Sequence, residues 1–261
     1  SFYLHDKENQ LLSMLPDTSI GADDEGYFSS VDNFFEKGEY FYLGQHSNFQ
    51  KTIAPRVPGL SLTYMIFRAF LNKNSAINFL VIFQTLLFST ALFYFFVTVF
   101  SIKKTWLFFL IFLGDTYLSY YNNIPYLAES ISISLIIFSI VFIYKYFNGY
   151  NNKFLLLSGL FAGLSFFYKV ANIAFLFSLS VFIIYILLTL KWKAIKILKT
   201  ALIFFIPFLV LEALWVSRNY YKTNELIFTQ QLKGQNAIDI MENQNDIFYS
   251  VVNFCKSFGG D

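Results

Sequence analysis

The stretch at residues 22–30, ADDEGYFSS, sets three consecutive carboxylates, Asp23, Asp24 and Glu25, just before Tyr27 and Phe28. Three further acids fall at the edges of apolar runs: Asp115, Glu129 in IPYLAESISIS, and Glu212. Two cations hold comparable places, Lys169 between two apolar runs and Arg218 in VSRNYYKTNE. A carboxylate can take the proton of a hydroxyl nucleophile, while an ammonium or guanidinium neutralises an anionic substrate or leaving group. Together they suit an anionic substrate handled with a proton transfer. Each also has a plainer reading. Asp23, Asp24 and Glu25 fit a solvated loop or a helix N-cap, where acids are favoured. Glu129 fits a first-turn acid after Pro125, and Asp115 fits a loop edge. Lys169 and Arg218 fit helix-end anchors that snorkel to the interface. Glu212, six residues before Arg218, fits an ion pair with a neighbouring charge.

These residues need an apolar scaffold. Of the 261 residues, 56% are hydrophobic, 21% aromatic and 14% charged, and the mean hydropathy is +0.51. An average soluble domain is about 25% charged and about 45–50% apolar. The excess lies in long blocks, which predicts an all-α polytopic membrane protein. Six spans are expected, at 76–100, 105–121, 125–146, 154–168, 170–190 and 200–217. Before them, YFSSVDNFFEKG places Tyr27, Phe28, Val31, Phe34 and Phe35 near helical spacing, which predicts an amphipathic helix at a membrane surface. The run 59–71, GLSLTYMIFRAFL, falls short of the roughly 20 residues a span needs and predicts a surface or re-entrant helix. In GLFAG, Gly159 and Gly163 are four residues apart, which predicts close helix packing. The chain thus divides into a first outer segment (1–75), a six-helix membrane region (76–217) and the start of a second outer segment (218–261).

Alternate loops differ in charge. Lys103 and Lys104, then Lys145 and Lys153, then Lys191, Lys193, Lys196 and Lys199 follow the first, third and fifth spans. The opposite connections carry none in YYNNIP and one at Lys169. Lys and Arg concentrate on the cytoplasmic side, so residues 1–58 and the chain from Arg218 onward are expected outside. Asp24, Asp115, Glu129, Lys169 and Arg218 then share one outer face of a multi-pass cell-membrane protein. A net charge of +2 without a basic patch argues against nucleic acid. A single cysteine, Cys255, and two unclustered histidines, His5 and His46, argue against an intrachain disulfide and a His/Cys zinc site.

The order of these pieces resembles the GT-C membrane glycosyltransferases, in particular the bacterial branch related to dolichyl-phosphate-mannose mannosyltransferases, protein O-mannosyltransferases and lipid A sugar transferases. The family's first outer loop carries an acidic motif followed shortly by Tyr, matched by Asp24, Glu25 and Tyr27. Pro58–Gly59 matches the Pro-Gly that closes that loop. Glu129 in IPYLAES matches a carboxylate that follows a Pro at the start of a later helix. GLFAGLSFFYK matches a Gly-rich helix leading to a basic residue, with Lys169 where Arg is commoner. Arg218, Asn219 and Tyr220 match an Arg-Asn-Tyr leaving the seventh helix. The likeness runs from about residue 20 to residue 236. Against the family pattern, the first helix and the C-terminal region are missing, which implies a fragment.

The resemblance implies inverting transfer of a sugar from a polyprenyl-phosphate donor to a glycan, lipid or protein acceptor on the extracytoplasmic face. It implies Asp24 as general base with Glu25 beside it in the catalytic motif. It implies Tyr27, Arg56, Glu129, Lys169 and Arg218 as substrate-binding, with the cations at the lipid phosphate. Relatives differ in using a divalent metal, so Mg²⁺ or Mn²⁺ on Asp24, Asp115 and Glu129, or no metal, both remain open. A transporter or flippase, or a non-catalytic subunit of an envelope polysaccharide system, is the alternative. The former predicts ionisable groups at mid-membrane and on both faces.

Overall fold

The computed structural model describes residues 20–41, 56–100, 106, 128–224 and 226–229, with residues 20–26 as backbone. Among the described residues every element is a helix, and no strand occurs. The chain divides into two compact units, one made of Ser1–Arg56 with Gln230–Asp261, the other of Val57–Thr229.

In the first unit, helix α1 runs over Ile20–Lys37. It stops at Gly38, whose φ of +76° only glycine adopts without strain. The Gly38 amide still donates to Phe34 O at 3.0 Å. Asp23, Asp24 and Glu25 are the fourth to sixth residues of this helix, so they form neither a loop nor an N-cap. Of the five apolar residues in the expected amphipathic set, Tyr27 is half-buried. Phe28 and Val31 are buried, whereas Phe34 and Phe35 are exposed and pack edge-to-face on each other.

The second unit begins with α2 (Gly59–Arg68), followed by α3 (Lys73–Val99), α4 (Glu129–Gly149) and α5 (Asn152–Tyr168). A 3-10 turn, Val170–Asn172, leads into α6 (Ile173–Thr189), and α7 (Ala194–Thr223) closes the unit. Four of these helical stretches are long and apolar enough to cross a membrane: α3, α4, Val170–Thr189 and α7. The protein is therefore a helical membrane protein. The expected span at 105–121, with Asp115, lies outside the described residues apart from Trp106.

Two registers order the bundle. Tyr150 turns the chain between α4 and α5 with a left-handed φ of 49°, and Asn151 caps α5 by accepting from Lys153 N at 3.0 Å. The two helices then run antiparallel. Midway, the Ser139 and Ser158 hydroxyls each donate to the other residue's carbonyl at 2.9 Å. Such reciprocal bonds keep both hydroxyls satisfied away from water. The second register joins α5 to α7. A Cβ on Gly159 would stand 1.9 Å from Phe204 O, and one on Gly163 would stand 3.1 Å from Phe208 Cα. Both glycines face residues the same distance ahead in sequence, so α5 and α7 are parallel. The close approach that the glycine spacing predicted is present. Leu176, Ile183 and Leu187 of α6 complete a buried cluster with Tyr146, Leu155 and Phe204.

Short α2 packs on the start of α3 through Phe67, whose ring meets Phe79 and Phe83 at centroid distances of 6.4 and 5.7 Å. Its N-terminus meets the end of α5. A Cβ on Gly59 would lie 2.6 Å from Phe167 O, and the Thr63 and Tyr168 hydroxyls are hydrogen-bonded at 2.5 Å. At ten residues, or about 15 Å, α2 does not cross a bilayer.

Candidate functional site

The serine register, continued ten residues from Ser139 and Ser158, brings the start of α4 level with the end of α5. There Lys169 Nζ donates to Glu129 Oε1 at 2.7 Å, with the two side chains 45% and 35% exposed. The lysine sits on extended backbone between α5 and the 3-10 turn (φ −147°, ψ 113°). Its amide donates to Ser165 O, and its carbonyl accepts from Asn172 N, both at 3.0 Å. Asn172 holds this bend in place. Its side chain donates to Ser132 Oγ of α4 and, at 3.0 Å, to Ser165 O of α5. On the other side Tyr168 is tied to Thr63 of α2. The ammonium is therefore aimed by bonds to three helices, while its head stays open to water. The Glu129 carboxylate directs the ammonium through a charge-assisted hydrogen bond.

Arg218 lies at the same end of the bundle, because α5 and α7 are parallel. Its guanidinium stands 5.2 Å from the Trp215 ring centre, and its Nη1 donates to Asn219 Oδ1 at 2.8 Å. Asn219, fully buried, donates in turn to Ile227 O at 3.0 Å and so fixes where the chain leaves α7. Glu212 lies level with Phe167, one turn past Phe208. Glu212 makes no ion pair among the described residues, and its Oε2 is buried without a hydrogen-bond partner. The reason is spacing: Arg218 is six residues on, off the i+3 and i+4 positions that a helix brings together.

In the first unit Arg56 stands over the Tyr27 ring at 6.0 Å, which joins two of the predicted binding residues. Asp24 and Tyr27 are three apart on α1, a spacing that puts two residues on one helix face. The structure thus brings Glu129 to Lys169 and Arg56 to Tyr27. Asp115 lies outside the described residues, as do His5, His46 and Cys255. For a divalent metal, Glu129 is the one expected ligand with a described side chain, and its Oε1 is taken by an ammonium. No group of three His, Cys, Asp or Glu converges among the described residues. Sequence reasoning missed Asn172, Ser132 and the Thr63–Tyr168 bond. The signal was a lone Asn between two apolar runs, in YKVAN, where a polar side chain needs a partner.

No family model, no curated protein and no solved structure matches this chain.

Proposed function

We propose that the protein is a membrane glycosyltransferase that moves a sugar from a polyprenyl-phosphate donor to a hydroxyl acceptor at the bundle end bearing Lys169 and Arg218. The observation that supports this most is the Glu129–Lys169 pair. It is a half-exposed ammonium at one end of an apolar bundle, on a bend that Asn172 and Tyr168 tie to neighbouring helices. The low charge of the spans and the lysine-rich opposite end support an extracytoplasmic site, by the excess of Lys on cytoplasmic loops.

In the proposed reaction the acceptor oxygen attacks the sugar C1 as the C1–O bond to the lipid phosphate breaks, with inversion. Asp24 takes the hydroxyl proton as the new bond forms, since an alcohol is a poor nucleophile until it is relieved of its proton. The electron pair leaves on the phosphate oxygen. That leaving group needs positive charge rather than a proton, which Arg218 and Lys169 supply. Glu129 orients a sugar hydroxyl and aims Lys169. Glu25, Tyr27 and Arg56 accompany Asp24 in the first unit.

The deciding experiment measures transfer by the full chain, with any missing flanking parts, from a panel of polyprenyl-phosphate sugars. Asp24→Asn is expected to lose roughly 10²- to 10⁴-fold in rate while its thermal unfolding is unchanged. Transfer at the original rate by Asp24→Asn would refute the assignment of the base. A chain that transfers no sugar but moves the lipid across vesicles would replace it with a flippase.

A further inference from the structure

At the other end of the bundle, where α4 ends and α7 begins, the second unit forms a half-open cavity of about 240 Å³. Its lining includes Tyr146, Tyr150, Trp192, Lys196, Lys199 and Thr200. One water requires roughly 10–15 Å³, so the cavity is much larger than a hydration defect. Its chemistry is graded. The inner part is hydroxylic: Tyr146 and Thr200 are buried, their oxygens 3.4 Å apart, and Thr200 donates its own hydrogen to Lys196 O at 2.9 Å, so Tyr146 is the hydroxyl left to meet an anion. The wall is aromatic, with the Trp192 and Tyr150 rings at 5.3 Å. The rim carries the two lysines, three residues apart on one face of α7.

Charge is one-sided here. Residues 142–156 and 190–203, which make this end of α4, α5 and α7, hold six lysines and neither Asp nor Glu. Lys196 is stacked over Trp192, its nitrogen 3.4 Å from the ring centre, which fixes its position without cancelling its charge. The N-terminus of α7 opens beside it with no side-chain cap, and the helix dipole adds to the same field. Two ammonium groups, the Tyr146 hydroxyl and an aromatic wall form a receptor for a compact, multiply hydrogen-bonded anion. An aromatic and lysine belt is also what marks the headgroup level of a bilayer.

We propose that this cavity binds a phosphate-type oxyanion, held by Lys196 and Lys199 with the Tyr146 hydroxyl behind it. At this depth the expected source is the headgroup of an anionic phospholipid. The site is separate from the Glu129–Lys169 end and does not depend on the glycosyltransferase reading.

The test uses the full chain in neutral detergent with Trp106→Phe and Trp215→Phe, so that Trp192 alone reports by fluorescence. It is titrated with phosphatidylglycerol, phosphatidylcholine and inorganic phosphate. Lipid retained by the unsubstituted chain is counted in parallel by native mass spectrometry, in case those replacements disturb folding. Phosphatidylglycerol is expected to shift the Trp192 emission to saturation, and phosphatidylcholine is not. Lys196→Gln with Lys199→Gln should weaken that binding at least about tenfold, near the effect of two headgroup-level lysines. Lys191→Gln with Lys193→Gln, the same charge change outside the cavity, should leave it unchanged. Saturation by inorganic phosphate in the same range keeps the site and assigns it to free phosphate. Equal responses to the two lipids without a response to phosphate, or equal losses in the two double variants, overturn it.

Discussion

Lys169 and Glu129 meet at 2.7 Å although 40 residues separate them, because the Ser139–Ser158 register fixes how α4 and α5 slide past each other. Their pairing follows from hydroxyls in the middle of the bundle. The pair is half exposed, and exposed ion pairs contribute between zero and about 1 kcal/mol. Its placement therefore serves position more than stability.

Lys169→Met is accordingly expected to change unfolding by no more than about 1 kcal/mol. The same change should cost sugar transfer roughly 10²- to 10³-fold, the range for removing one group that stabilises developing negative charge. Lys169→Arg keeps the charge and should retain most activity. Detergent unfolding curves and transfer rates for both variants check this. A Met variant as active as the parent removes Lys169 from the site.

Asn172 is a positioning residue for that lysine, bonded to Ser132 and Ser165 on different helices. Asn172→Ala should lower transfer, and it should have no further effect in a chain that already carries Lys169→Met. Groups acting as one unit fail to add. Additive losses in the double variant would make its role purely structural.

Gly159→Ala should destabilise the chain by about 1–3 kcal/mol or more, the cost of overpacking. The new methyl would face the Phe204 carbonyl at 1.9 Å, and a backbone atom cannot step aside. Gly149→Ala, with nothing within 4 Å of its Cβ position, is the matched control. It should be neutral or stabilising by up to about 1 kcal/mol. Melting temperatures in one detergent compare the two.

The orientation has its own check in a Cys255→Ser background. Asn224→Cys and His46→Cys should react with an impermeant thiol reagent applied to sealed cells, and Ala194→Cys should not. Labelling at 194 with protection at 224 reverses the orientation inferred from the loop lysines.

Four of the six expected spans were legible, because burial in lipid needs only length and apolarity, and both can be read along the chain; the one expected at 154–168 is a helix too short to stand with them. Their ends were less so. The span expected at 200–217 is the middle of a helix that runs over Ala194–Thr223. Hydropathy marks the apolar slab, whereas backbone hydrogen bonds carry a helix past it through Lys196, Lys199 and Arg218. The expected start at 76 moved to Lys73 because Asn72 caps α3 by accepting from Ser75 N. The site was legible as residue types at one end. Which residues touch was not: Glu129 and Lys169 meet through a register set by two distant serines. The local periodicity of α4 and α5 contains no trace of it. Glu212 shows the converse, a partner suggested by nearness in sequence that the helical phase does not deliver.

At 17 residues, α5 is about 25 Å long, shorter than the roughly 30 Å hydrocarbon slab that its neighbours cross. Such hydrophobic mismatch is relieved when the bilayer thins locally or protein covers the helix end. Gly59 and Thr63 of α2 cover part of that end and leave Lys169 half open. The ammonium thus stands where this short helix ends. In the proposed reaction, that leaves a lipid-tethered phosphate less distance to climb toward water before meeting a positive charge.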